Sequence, residues 1–152
     1  MKGGLLWQIG LHEKSTKSSR EIHEIIARLE REAVLVSAVA TFHTNDDDKD
    51  WDTRLSIFIR RRDSSEVAFI RNIMGRFPDH TNNGPFGLSI KVNIPKTEVA
   101  TCHTDLEIVP VGNDTWRFNY YLDLGFSDGS HLNYSWPGRV LDQDARVATF
   151  VL

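Results

Sequence analysis

A single cysteine, Cys102, in 152 residues excludes an intrachain disulfide framework. That fits a reducing compartment, although small calcium-stabilised secreted modules also do without disulfides. No apolar run approaches the ~20 residues that a membrane-crossing helix needs. With only 5 prolines and 10 glycines, collagen-like classes are excluded as well. A basic excess is also missing: 18 Lys and Arg stand against 21 Asp and Glu, a net charge of −3. That balance disfavours a nucleic-acid partner, which a basic surface normally announces. The stretch Met1-Lys2-Gly3-Gly4-Leu5-Leu6-Trp7-Gln8-Ile9 carries an apolar patch too short for the core of a signal peptide. The expectation is a soluble chain, either cytoplasmic or an excised extracellular module.

Catalytic signatures are absent too. There is no G-x-S-x-G elbow, no H-E-x-x-H, no phosphate-binding loop and no dinucleotide fingerprint. Cys102 and His103 are neighbours, and neighbours on a strand face opposite sides, so the imidazole is badly placed to activate the thiol. The six histidines lack tight metal-ligand spacing. No residue is assigned a catalytic role, and a small carboxylate-based hydrolase stays as an alternative.

What is present is an ordinary globular composition, 40% hydrophobic and 26% charged, in a length suited to one domain. Residues 1–17 read as a lead and 18–152 as a single domain. Ser18-Ser19-Arg20-Glu21 has the spacing of a capping box. Ile22, Ile25, Ile26, Leu29 and Ala33 follow as one apolar stripe. The pattern predicts a helix over 18–33, packed against a sheet or plugging its edge, with docking of a partner as the alternative.

From Val34 the period changes to two. Strands are expected at 34–43, 53–61, 66–73, 87–94, 101–109, 115–126, 130–136 and 146–152. Turn chemistry separates several of them, Asp128-Gly129 most plainly. Tyr120 and Tyr121 adjoin on a strand, so one belongs to the core and the other to the surface. The fold class expected is mainly β: an antiparallel eight-stranded β-sandwich with one N-terminal amphipathic helix.

The most informative segment is Thr44-Asn45-Asp46-Asp47-Asp48-Lys49-Asp50-Trp51-Asp52-Thr53. Five carboxylates so close repel one another unless a cation compensates them. Asp46, Asp48, Asp50 and Asp52 alternate, which lets a turning loop aim several oxygens at one point. Such hard oxygen donors suit Ca2+. The loop is not an EF-hand, because Trp51 stands where that loop needs glycine and Ile57 where it needs glutamate. If neighbouring strands run antiparallel, the connections alternate between two ends. The acidic loop, Met74–Phe86, Pro110–Asp114 and Pro137–Ala145 then share one end. The expected ligand set is Asp46, Asp47, Asp48, Asp50, Asp52, Asp79, Asn113 and Asp114, with Trp51, Asn82 and Asn83 meeting the bound molecule. The competing reading is a solvated loop whose charges cap turns and block edge pairing.

Asp-rich loops at one end of a β region, chiefly Asn45–Asp52, resemble the C2 and PLAT class of calcium-dependent β-sandwich modules. The resemblance is architectural and spans about Val34–Leu152. It implies a calcium-dependent binding module. Leu6-Trp7-Gln8-Ile9-Gly10 is similar to a short segment at the start of some bacterial carbohydrate-active β modules. Arg54, Arg60, Arg61, Arg62, Arg71 and Arg76 form a local basic excess that suits an anionic surface or a solvated face. The functional expectation is a non-catalytic Ca2+-binding module recognising a glycan or membrane surface. The alternative is a structural or protein-interaction domain with a merely solvated acidic loop.

Overall fold

The computed structural model describes residues 18–152, so the lead 1–17 lies outside them. Helix α1 runs over Ser19–Glu32. Its start is the capping arrangement expected: the Glu21 amide donates to the Ser18 hydroxyl at 3.2 Å. Of the apolar stripe, Ala33 just past the helix is buried in the core, and the Leu29 side chain lies outside the described residues. Ile22 and Ile26 are about half exposed, and α1 lies against a short 3-10 helix, Lys96–Thr101.

The rest is mainly β, in two antiparallel sheets. The strands are β1 (Leu35–Thr44), β2 (Arg54–Arg60), β3 (Glu66–Ile73), β4 (Asn82–Gly87), β5 (Ser89–Ile90), β6 (His103–Val109), β7 (Thr115–Phe126), β8 (His131–Asp142) and β9 (Val147–Val151). One sheet has the order β4-β1-β7-β8 and the other β5-β3-β2-β6-β9. Every pairing is antiparallel.

One core joins the two sheets. Ala38, Ala40 and Phe42 of β1 and Trp116, Phe118, Tyr120, Leu122 and Leu124 of β7 supply one wall. Leu55, Ile57 and Ile59 of β2, Leu106 and Ile108 of β6 and Phe150 of β9 supply the other. Each set recurs at every second residue, because alternate side chains of a strand share a face. Thr104 of β6 and Tyr120 of β7 share a hydrogen bond of 2.8 Å across the core, so the phenol is buried at little polar cost.

The expected fourth strand, 87–94, divides instead. β4 pairs with β1, whereas β5 pairs with β3 in the other sheet. Leu88 and Ile94 are buried all the same. Alternation reports which side chains face inward; it does not report which strand the backbone bonds to. The β7–β8 hairpin forms at Asp128-Gly129, where Gly129 takes φ 83° and the Asp128 carboxylate accepts from the Ser130 amide at 2.9 Å. β8 then continues to Asp142, well past the expected end near residue 136.

Among the described residues no helix is long and apolar enough to cross a membrane.

Candidate functional site at the acidic loop end

The antiparallel topology carries the connections 45–53, 74–81, 110–114 and 143–146 to one end. Hydrogen bonds tie them together there. Lys49 and Phe77 exchange backbone bonds of 3.2 and 3.0 Å. The Gly75 amide donates to the Trp51 carbonyl at 3.0 Å. The Asp114 amide donates to Gln143 Oε1 at 3.2 Å. The grouping of loops expected from strand parity is therefore present.

At its centre lies Lys49, fully buried. Its Nζ donates to the carbonyl oxygens of Asp50 (3.1 Å), Thr53 (2.7 Å) and Gly75 (2.6 Å). The same ammonium sits 4.6 Å from the centre of the Phe77 ring. Carbonyl oxygens converging on a positive charge make a cation site, and here the cation belongs to the chain. Burial draws the Lys49 pKa down to about 8, against the upward pull of Asp114, Asp50 and Asp52.

Asp114 is the second fixed point, only 5% exposed. Its Oδ2 accepts from the Thr53 hydroxyl at 2.5 Å and from the Asp50 amide at 3.0 Å. Burial, then Asp114 itself, raises the Asp50 carboxyl above the ordinary aspartate value.

The other carboxylates are distributed outward. Asp47 accepts from Arg117 Nε at 2.7 Å, and Asp48 from Arg76 Nε at 2.7 Å. Asp46, Asp79 and Asn113 are exposed at the surface and Asp52 is half-buried. Of the eight expected oxygen ligands, only Asp50 and Asp114 are held in direct contact, backbone amide to carboxylate. Among the described residues no three His, Cys, Asp or Glu side chains are placed to hold a metal ion together. Positive charge is supplied from within the chain: Lys49 faces Asp114 and Asp50, Arg76 pairs with Asp48 and Arg117 with Asp47.

Asn82 and Asn83 lie on β4 and are spent locally. Asn82 Oδ1 meets His43 Nδ1 at 2.7 Å. The Asn83 amide donates to Thr44 Oγ1 at 3.4 Å and to Thr81 Oγ1 at 3.3 Å. Trp51 differs: it is 68% exposed. Met74 on the next loop is 51% exposed, and Val111 on the third is 64% exposed. Sequence reasoning passed over Met74 and Val111, since a single apolar residue in a loop carries no periodicity. It also passed over Lys49, the one cation inside the Asp run, although that isolation was a signal.

The arginine-rich stretch is largely neutralised. Arg60 pairs with Asp105 (2.6 Å) and Glu107 (3.0 Å), Arg61 with Glu98 (2.7 Å) and Arg71 with Glu66 (2.6 Å). Arg54 and Arg62 remain exposed. Cys102 is buried, which pushes its thiol pKa up and keeps it poorly nucleophilic.

No known protein family matches the chain, and no curated protein matches it in sequence.

Proposed function

We propose that the chain is a non-catalytic recognition module of β-sandwich type that docks a protein partner on its loop end. The observation that carries this reading is the exposure of Trp51, Met74 and Val111 on three loops whose bases are cross-linked. Lys49 bonds the carbonyls before Trp51 and after Met74, and Asp114 bonds the amide before Trp51. The apolar tips are thus presented on a rigid base, and little ordering entropy is lost when a partner covers them. Trp and Met are enriched at protein interfaces, and a Trp anchor is a frequent centre of binding energy. The loops of this end expose Asp46, Asp79 and Asp144, so a partner with an apolar pocket and Lys or Arg at its rim would be complementary.

Selection of a displayed peptide library on the protein, with counter-selection on Trp51→Ala, tests this. Peptides rich in Lys, Arg and aromatic residues are expected. Enrichment that ignores the Trp51→Ala counter-selection would sink the reading. A blue shift of Trp fluorescence on phosphatidylcholine vesicles would favour a membrane surface in its place. The substitution itself should alter stability by less than ~0.5 kcal/mol, as exposed positions do.

Calcium has no part in this reading. Millimolar CaCl2 is expected to leave the melting temperature unchanged. A specific site filled to 100 times its dissociation constant would add ~2.7 kcal/mol, so an upward shift of several degrees would restore the metal to the loop.

A further inference from the structure

We propose that the outward face of the β4-β1-β7-β8 sheet is a separate binding site, a groove for a neutral glycan. It does not depend on the loop-end reading. A concavity of about 380 Å³ lies over this face, lined by Val39, Thr41, Tyr121, Asp123, Asn133 and Ser135. That volume falls within the ~300–1,000 Å³ of ligand sites.

Strand register builds the groove. Thr41, Tyr121 and Ser135 stand opposite one another on β1, β7 and β8, and Val39, Asp123 and Asn133 form the adjacent row. Irregularities flank it on both sides: β1 slips against β4 between Ala40 and Phe42, and β7 against β8 between Phe118 and Tyr120. Bulges bend strands and re-aim side chains. At the end of the groove, Gly125 leaves room that a side chain would take from Ser37 Oγ and the His131 ring. His131 Nδ1 reaches the Asp123 carboxylate at 3.1 Å.

Solvent-facing polar groups line this face. No buried side-chain nitrogen or oxygen among the described residues lacks a partner. In the groove the side-chain polar groups of Thr41, Tyr121, Asn133 and Ser135 make no hydrogen bond to another described residue and are open to a ligand as they are to solvent. Two hydroxyls, an amide and a carboxylate thus neighbour the Tyr121 ring, which is 39% exposed and carries a hydroxyl of its own. A sugar fits that set: its apolar face covers the ring while its hydroxyls donate to and accept from the neighbours.

Other ligand classes fit less well. Asp123 is the one charged side chain in the lining, which repels sulfate and phosphate groups. β7, at the floor of the groove, is paired on both sides, so a peptide strand could add only at an edge strand such as β8 and not along the floor.

The test is amide NMR of the intact chain, titrated with neutral hexasaccharides of glucose, mannose, xylose or N-acetylglucosamine. At least one should move the signals of Thr41, Tyr121, Asp123 and Asn133. Tyr121→Ala should then weaken it at least tenfold, and Tyr121→Phe should retain most of the affinity. Trp51→Ala should bind as wild type does, which separates this site from the loop end. Silence with all four sugars at millimolar concentration overturns the proposal. So does an affinity that survives both Tyr121→Ala and Asn133→Ala in variants whose spectra show the native fold.

Discussion

Lys49→Met is expected to cost the fold roughly 3 kcal/mol at pH 7, a fall in Tm of roughly 6–12 °C for a chain of this length. Methionine matches the length of the stem but donates nothing. The carbonyls of Thr53 and Gly75 lose their short bonds, and a buried acceptor left without its partner costs ~1–3 kcal/mol. Asp114 would lose the cation it faces, so its charge is also less well compensated. Equal or greater stability of the variant would show that Lys49 is tolerated in the loop rather than needed there.

The same residue sets a pH dependence of definite sign. In the unfolded chain Lys49 holds its proton to about pH 10.5, and in the folded chain only to about 8. Between those values the unfolded state binds more protons, so the contribution of Lys49 to stability rises with pH. Burial of its charge is a cost carried at neutral pH and relieved as the proton leaves. Two buried acids act oppositely. The Cys102 thiol and the Tyr120 phenol have raised pKa values, so each weakens the fold above its ordinary titration range, about pH 9 and 10. Urea midpoints of wild type and Lys49→Met, compared at pH 7.5 and 9, isolate the lysine. The advantage of wild type should grow with pH. A difference that stays constant would mean the ammonium is not perturbed.

The second large effect is expected at Phe42. Its ring lies within 5.1–6.4 Å of the centroids of Tyr120, Trp116, Phe118, Phe86 and Phe77. Phe42→Ala should cost ~3–5 kcal/mol through lost burial and an unfilled cavity. Phe77 is one of those neighbours and also the floor beneath Lys49. The substitution should therefore loosen the loop end as well, seen as faster amide exchange at Lys49 and Gly75. A loss confined to global stability, with exchange at those amides unchanged, would uncouple the core from the lysine cage.

Much of the fold is legible in short stretches of sequence. The Ser18 cap, the Asp128-Gly129 hairpin and the inward runs Leu55-Ile57-Ile59 and Trp116-Phe118-Tyr120 all occur where the pattern predicts them. Tyr120 is buried and its neighbour Tyr121 is surface, as alternation requires. The α1 stripe was equally legible as an amphipathic helix, yet its packing was not: Ile22 and Ile26 are half exposed. An apolar stripe requires a neighbour without naming one.

The sequence by itself determined the backbone alternation, the turns and the crowding of negative charge at residues 46–52, because each depends on groups a few residues apart. Only the tertiary structure decided how that charge is balanced. The partners of Asp47 and Asp48 lie 70 and 28 residues away, and one carbonyl around Lys49 lies 26 residues on. Coulomb energy depends on distance in space, and the two sheets alone bring Arg117, Arg76 and Gly75 to the acidic loop.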